Sequence, residues 1–204
     1  FPGFRRPDGR VGTRNYLAVI SSVNCSASVA RQVRNLFPDD AVHREFPQVD
    51  GVVAFTHPGG CGVKPGEPLE LLQRVLVGIA RHPNIGGVVF IGLGCEVNHL
   101  EGLRSFGRWH GTEAGDTPVF LGIQETGGSR RTVEAAAAAV LKKAGADETS
   151  ELGRATLQDL MKNAEIAAQG EYPLCQDTGL AVVFLEIGQD VHLVGGDLEA
   201  AVNE

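Results

Sequence analysis

Residues Gly87–Glu101 read GVVFIGLGCEVNHLE, an apolar run rich in β-branched residues that breaks at Gly92-Leu93-Gly94 and delivers Cys95 and Glu96 to its end. Two further runs close in the same manner. Asn15–Cys25, NYLAVISSVNC, ends on Asn24-Cys25, and Val49–Gly62, VDGVVAFTHPGGCG, ends on Thr56-His57 and then Gly59-Gly60-Cys61-Gly62. Short β-branched runs alternating with helical patterns predict a predominantly parallel sheet with flanking helices, an α/β fold. Open parallel sheets bind ligands beyond the carboxyl ends of their strands. Cys25, Cys61 and Cys95 are therefore expected at one edge of the sheet.

The segments between the strands carry helical spacing. Ser26–Phe37 sets Val29, Val33 and Leu36 on one face, and Pro68–Arg81 does the same with Leu72, Val75, Leu76 and Ile79. Val119–Ile123 reads as a fourth strand, and Arg131–Lys143 as an alanine-rich helix with lysines at the negative end of its dipole. Residues 1–14, with the turn signature Pro7-Asp8-Gly9, read as an irregular arm, and Gly102–Pro118 as a polar, glycine-rich flap or connection. The composition shifts at Gly145–Ser150, which divides the chain into an α/β domain, 1–146, and a truncated α+β segment, 147–204. That segment opens on a helix, Glu151–Gln169, with Leu157, Leu160, Met161, Ala164 and Ala168 on one face. A turn bearing Cys175 and a strand at Ala181–Ile187 follow, and Val202-Asn203-Glu204 breaks off inside a helical pattern, as a fragment would.

A chain of 204 residues with 43% hydrophobic content is long enough to bury a real core. The net charge of −7, with basic residues scattered rather than striped, argues against a nucleic-acid surface. No apolar run approaches a membrane span and no secretory leader opens the chain, so no membrane partner is expected and a cytoplasmic setting follows. The four cysteines are in principle enough for two disulfides. In a reducing compartment, cysteines at strand ends and in glycine-rich turns more often serve metals or catalysis.

Free cysteine packs well in cores, yet the neighbours of Cys25, Cys61 and Cys95 are glycines and polar groups, which are poor core material. Three thiolates hold a cubane iron–sulfur cluster with one iron open, or a single softer metal. The spacings match no compact ligand motif. Cys25, directly before a helix, is expected to have a lowered pKa. His57 reads as a base, a ligand or a hydrogen-bonded loop histidine; Glu96 reads as a general base, a metal ligand or a first-turn acid. His99, one helical turn beyond Glu96, is a weaker candidate. Arg14 and Asn15 at the start of the first strand, with Thr56 and Asn98, are candidate contacts for a carboxylate or hydroxyls. The glycines at 92 and 94 lack the third glycine of a dinucleotide fingerprint, and no P-loop occurs, so no nucleotide is expected.

The strings GFRRPDGRVGTRNYLAVISSVNCSASVA, VDGVVAFTH leading into GGCG, and ARHPNIGGVVFIGLGCEVN resemble altronate and galactarate dehydratases. That resemblance covers about residues 1–146 and implies an iron-dependent hydro-lyase acting on sugar-acid carboxylates. Residues from about 148 onward, with LGRATLQDLMKNAEIAA, YPLCQDTGLAVVFLEIGQDVHL and GGDLEAAVNE, resemble the start of class I fumarases and the alpha subunit of tartrate dehydratase. There Cys175 falls where that family places a cluster cysteine. The cofactor implied is iron, as Fe2+ or a [4Fe–4S] cluster, with Cys25, Cys61 and Cys95 the candidate metal ligands of the first part and Cys175 that of the second. The partner implied is a missing carboxy-terminal portion or a second subunit. The readings left open are a sugar-acid dehydratase, a fumarate hydratase or tartrate dehydratase-type subunit, and a catalytically incomplete fragment.

Overall fold

In the computed structural model, residues 3–59, 61–109 and 117–146 are described, together with residues 155, 158, 159, 162 and 166. The chain divides into two compact units, Phe1–Pro173 and Leu174–Glu204; every described residue lies in the first.

Within it, β1 (Phe4–Arg5) and β2 (Val11–Gly12) form a small antiparallel hairpin. The expected irregular arm is thus partly ordered, because Asp8 accepts from the Arg10 amide at 3.0 Å while Gly9 takes a φ of 84° to close the turn. The chain continues through β3 (Tyr16–Ser21), a 3-10 turn (Asn24–Ser26), α1 (Ala27–Asn35), α2 (Asp39–Glu45), β4 (Gly51–Phe55) and α3 (Glu67–Ala80). It then forms β5 (Ile85–Gly92), α4 (Leu100–Phe106), β6 (Val119–Gly122), α5 (Ile123–Thr126) and α6 (Ser129–Ala146).

The four strands β3 to β6 form one parallel sheet in the order β4-β3-β5-β6. Their alternation sorts side chains to two cores, as strand geometry requires. Leu17, Val19, Val89 and Ile91 pack with Val29 and Val33 of α1 and Ala136 and Val140 of α6. Ala18, Ile20, Val88 and Phe90 pack on the opposite side with Leu76 and Val77 of α3, Leu103 of α4 and Trp109. The helices that leave β3 and β5 therefore cover different faces of the sheet. The carboxyl ends of these two neighbours open onto a topological switch point, where such folds place their ligands.

Three helices were not expected, and one of them, α5, begins at Ile123, where the fourth strand was expected to end. α2 is too short to show a period and buries only Val42. α4 occupies the start of Gly102–Pro118, and it is capped by His99, whose side chain accepts from the Gly102 amide at 2.9 Å. Residues 110–116 of that segment lie outside the described residues. Of the expected helix Glu151–Gln169, the described residues Ala155, Gln158, Asp159, Lys162 and Ile166 are helical and exposed. They form the face opposite the predicted apolar one. Among the described residues, no helix is long and apolar enough to cross a membrane.

Phe90 is fully buried at 0% exposure and stacks on Phe120 with centroids 5.3 Å apart, beside Trp109 at 5.7 Å. Phe90→Ala should destabilise the domain by about 3–5 kcal/mol through lost burial and a residual cavity. Urea denaturation followed by Trp109 fluorescence measures it, and a loss under about 1 kcal/mol would place Phe90 outside the core.

Candidate functional site

The three strand-end cysteines meet at the carboxyl edge of the sheet. Cys25 lies in the turn after β3, Cys61 in the loop after β4 and Cys95 in the loop after β5, all exposed and unbridged. The Cys25 thiol is pushed above its ordinary value, first by desolvation and then by Cys61, which is both a charge neighbour and a hydrogen-bond partner. Cys95 acts on Cys25 through charge alone. The shift runs opposite to the lowering expected from the adjacent helix. Desolvation, and after it the neighbouring thiols, disfavour the thiolate more than the turn before α1 favours it.

Backbone bonds interlock the loops that carry these cysteines. The Asn24 amide donates to Gly59 O at 2.7 Å, which ties the loop after β3 to the loop after β4. The Val97 amide donates to Cys61 O at 3.2 Å, so the β4 loop reaches the β5 loop although the two strands are not neighbours. The Gln124 amide donates to Leu93 O at 3.0 Å and joins the β5 loop to the end of β6.

Beneath the thiols lies a buried polar layer. Glu96, 5% exposed, accepts from Ser22 Oγ at 2.8 Å and the Leu93 amide at 3.0 Å on one oxygen, and from the Gly94 amide at 2.6 Å on the other. Burial pushes this carboxyl upward, but the amides of Gly94, Glu96 and Leu93 and the Ser22 hydroxyl outweigh it and hold the pKa below its ordinary value. A carboxylate so engaged is a weak base, so the expected general-base role for Glu96 does not suit this geometry. Asn98, 2% exposed, donates from Nδ2 to Ser22 O at 3.0 Å, and its Oδ1 has no partner. Ser26 Oγ donates to Ile91 O at 2.6 Å.

His57 follows β4. Its Nδ1 accepts from the Gly59 amide at 3.1 Å, which leaves the proton of the neutral ring on Nε2; that atom is buried without a partner. Thr56 is exposed and its Oγ1 accepts from Arg31 at 3.3 Å. Arg14 and Asn15 are not brought to this site. They precede β3, at the amino edge, about 20 Å from the thiols at roughly 3.3 Å per strand residue. There the Asn15 amide donates to Asp50 at 2.6 Å, and Asn15 Nδ2 to Gln48 O at 2.7 Å, which joins the starts of β3 and β4. Parallel strands fix this separation, so neither residue contacts a ligand bound over the thiols. His99 caps α4, and Cys175 lies outside the described residues.

The family description "D-galactarate dehydratase/Altronate hydrolase, second domain" matches residues 3–147. The chain belongs to this family. Residues 129–204 also match the description "Fumarate hydratase (Fumerase)". The chain is 39% identical over 101 residues to an altronate dehydratase of Escherichia coli, covering 50% of this chain and 20% of that protein. It is 32% identical over 110 residues to a (2R)-sulfolactate sulfo-lyase subunit beta of Chromohalobacter salexigens, covering 53% of this chain and 25% of that one. It is also 42% identical over 52 residues to a putative L(+)-tartrate dehydratase subunit alpha of Methanocaldococcus jannaschii, covering 26% of this chain and 18% of that protein. The chain thus spans 20% of the length of the altronate dehydratases it matches. No solved structure matches it with significance.

In this family domain the thiols supply the donor chemistry that soft metals and iron–sulfur clusters take. Among the described residues, no three His, Cys, Asp or Glu side chains stand close enough together to grip one ion. Cys95 is the member that meets Cys25 through charge only.

The depressed Glu96 pKa has a consequence for stability. A carboxyl held below its ordinary value of 4.5 contributes stability that is fully present above that value and is lost as pH falls through the folded value. The urea midpoint of the native chain should therefore drop, as pH falls below about 4.5, more steeply than that of Glu96→Gln, which has no carboxyl to protonate. Parallel pH profiles for the two proteins would show that the hydrogen bonds do not favour the charged form.

Proposed function

We propose that residues 1–146 are the dehydratase-like domain of an iron-dependent hydro-lyase acting on sugar-acid carboxylates of the altronate or galactarate kind, with 147–204 a fumarase-like segment joined to it. The observation that carries this reading is the meeting of three thiol-bearing loops at the switch point of a parallel sheet in a chain of this family. Cys25, Cys61 and Cys95 are the residues we assign to the metal, and the exposed thiols suit an iron site open to a small hydroxy-carboxylate. Bound there, iron would supply a Lewis acid for the substrate's carboxylate and hydroxyl oxygens.

Dehydration breaks a C–H bond beside the carboxylate and the C–O bond next to it, forms a C=C bond, and releases the hydroxyl as water once it gains a proton. His57 is assigned a catalytic hydrogen bond. With Nδ1 accepting from the Gly59 amide, the neutral ring offers Nε2–H as a hydrogen-bond donor that polarises the departing hydroxyl without giving up the ring proton, and the proton that completes the water comes from solvent. Thr56 and Asn98 stand at the same edge and are the substrate contacts we retain. We assign no base for the C–H proton among the described residues. The chain's share of the relatives' length leaves room for a further portion or subunit to provide it.

The match of residues 129–204 to fumarate hydratases favours a second reading, a fumarate hydratase or tartrate dehydratase-type subunit using Cys175. The meeting of three other thiol-bearing loops at one sheet edge favours the first. A third reading is a catalytically incomplete product that folds without turnover. Anaerobic reconstitution with ferrous iron and sulfide, followed by assays on altronate, galactarate, tartrate and fumarate, separates the three. Bound iron should fall sharply in Cys25→Ser, Cys61→Ser and Cys95→Ser, with weak turnover of sugar acids and none of fumarate. Iron retained in all three variants, or fumarate turnover of order 10 per second, would contradict the proposal.

A further inference from the structure

Glu96 is the one buried carboxylate among the described residues, and its contacts bear on two of the cysteine loops. The turn Gly92-Leu93-Gly94-Cys95 wraps around its own following side chain. Leu93 and Gly94 both point their amides at the Glu96 carboxylate, and Gly94 takes a φ of 123° to do so. A Cβ at Gly92 would collide with Glu96 Oε1, and one at Gly94 would meet Gln124 Oε1 at 2.7 Å. The glycines at 92 and 94 are thus explained by the space the carboxylate and Gln124 need. Wrapped in this way, the turn leaves Cys95 exposed while the adjacent Glu96 is buried.

The second contact crosses to the neighbouring strand. Ser22 Oγ donates to Glu96 Oε1, the Ser22 amide donates to Ile91 O at 2.9 Å, and Ser22 O accepts from Asn98. Ser22 leads directly into the turn that carries Cys25. One carboxylate therefore fixes the Cys95 turn and pins it to the strand end from which the Cys25 turn departs.

We propose that Glu96 is the positioning residue that sets Cys95 against Cys25 for metal binding, acting through the Leu93-Gly94 amides and Ser22, and not as the base of the reaction. The inference rests on the assignment of the thiols to a metal.

Cobalt(II) titration under anaerobic conditions tests it, because thiolate-to-cobalt charge-transfer absorption reports how many thiolates bind. The native chain should show the band. Glu96→Gln keeps the side-chain shape but turns an N–H group toward one of the amides the carboxylate had accepted from. It should bind cobalt about 10–100-fold more weakly, with a band reduced by one thiolate's share. Ser22→Ala, which leaves the turn around the carboxylate intact, should lose less affinity and keep the band. Circular dichroism confirms folding of both variants. If Glu96→Gln does not fold, Ser22→Ala carries the test, and native affinity in it overturns the inference. A folded Glu96→Gln with native band and affinity also overturns it, including one that loses only turnover, the behaviour of a base. A native chain with no band at all contradicts the metal assignment itself, a failure distinct from that of Glu96.

Discussion

Placing an ionised carboxylate at 5% exposure costs several kcal/mol unless its oxygens are bonded, and at Glu96 the Leu93 and Gly94 amides and the Ser22 hydroxyl meet that demand. Those same donors belong to the ends of β5 and β3, so satisfying the charge also fixes where two strands stop and how their loops leave. The glycines at 92 and 94 follow from it, since side chains there would collide with Glu96 and Gln124. A local requirement of electrostatics thereby shapes the edge on which the candidate chemistry stands.

The sheet order converts that local constraint into a site. With β3 and β5 adjacent and their following helices on opposite faces, the two loops diverge over a crevice. The β4 loop then folds across, through the Asn24 to Gly59 and Cys61 to Val97 backbone bonds, and brings the third thiol over the same crevice.

Much of this was legible in the amino-acid sequence. The β-branched runs ending in cysteines gave the parallel strands and the shared edge, because strand direction alone decides which residues collect there. The helices α1, α3 and α6 followed from apolar spacing. What the sequence hid was partnership. Arg14 and Asn15 looked like substrate contacts by residue type, yet the register of β3 puts them at the amino edge, where Asn15 joins two strand starts. Glu96 looked like a base because it follows Cys95, and only the fold reveals the amides and hydroxyl that already occupy it. The lowered thiol pKa expected from a helix start failed for a similar reason, since desolvation and then thiols from other loops act on Cys25. Short helices such as α2 and α4 carry too few turns to show a period.

The convergence of Cys25, Cys61 and Cys95 is the claim on which the account turns, and trivalent arsenic, which bonds up to three thiolates at one centre, tests it without iron or substrate. The reduced chain is titrated with arsenite, then alkylated, and each cysteine peptide is read by mass spectrometry. The account predicts one arsenic per chain with Cys25, Cys61 and Cys95 protected together, the arsenic drawing in Cys95, which meets Cys25 through charge alone in the free chain. Protection of a single pair, with the third thiol alkylated at its free rate, would contradict it.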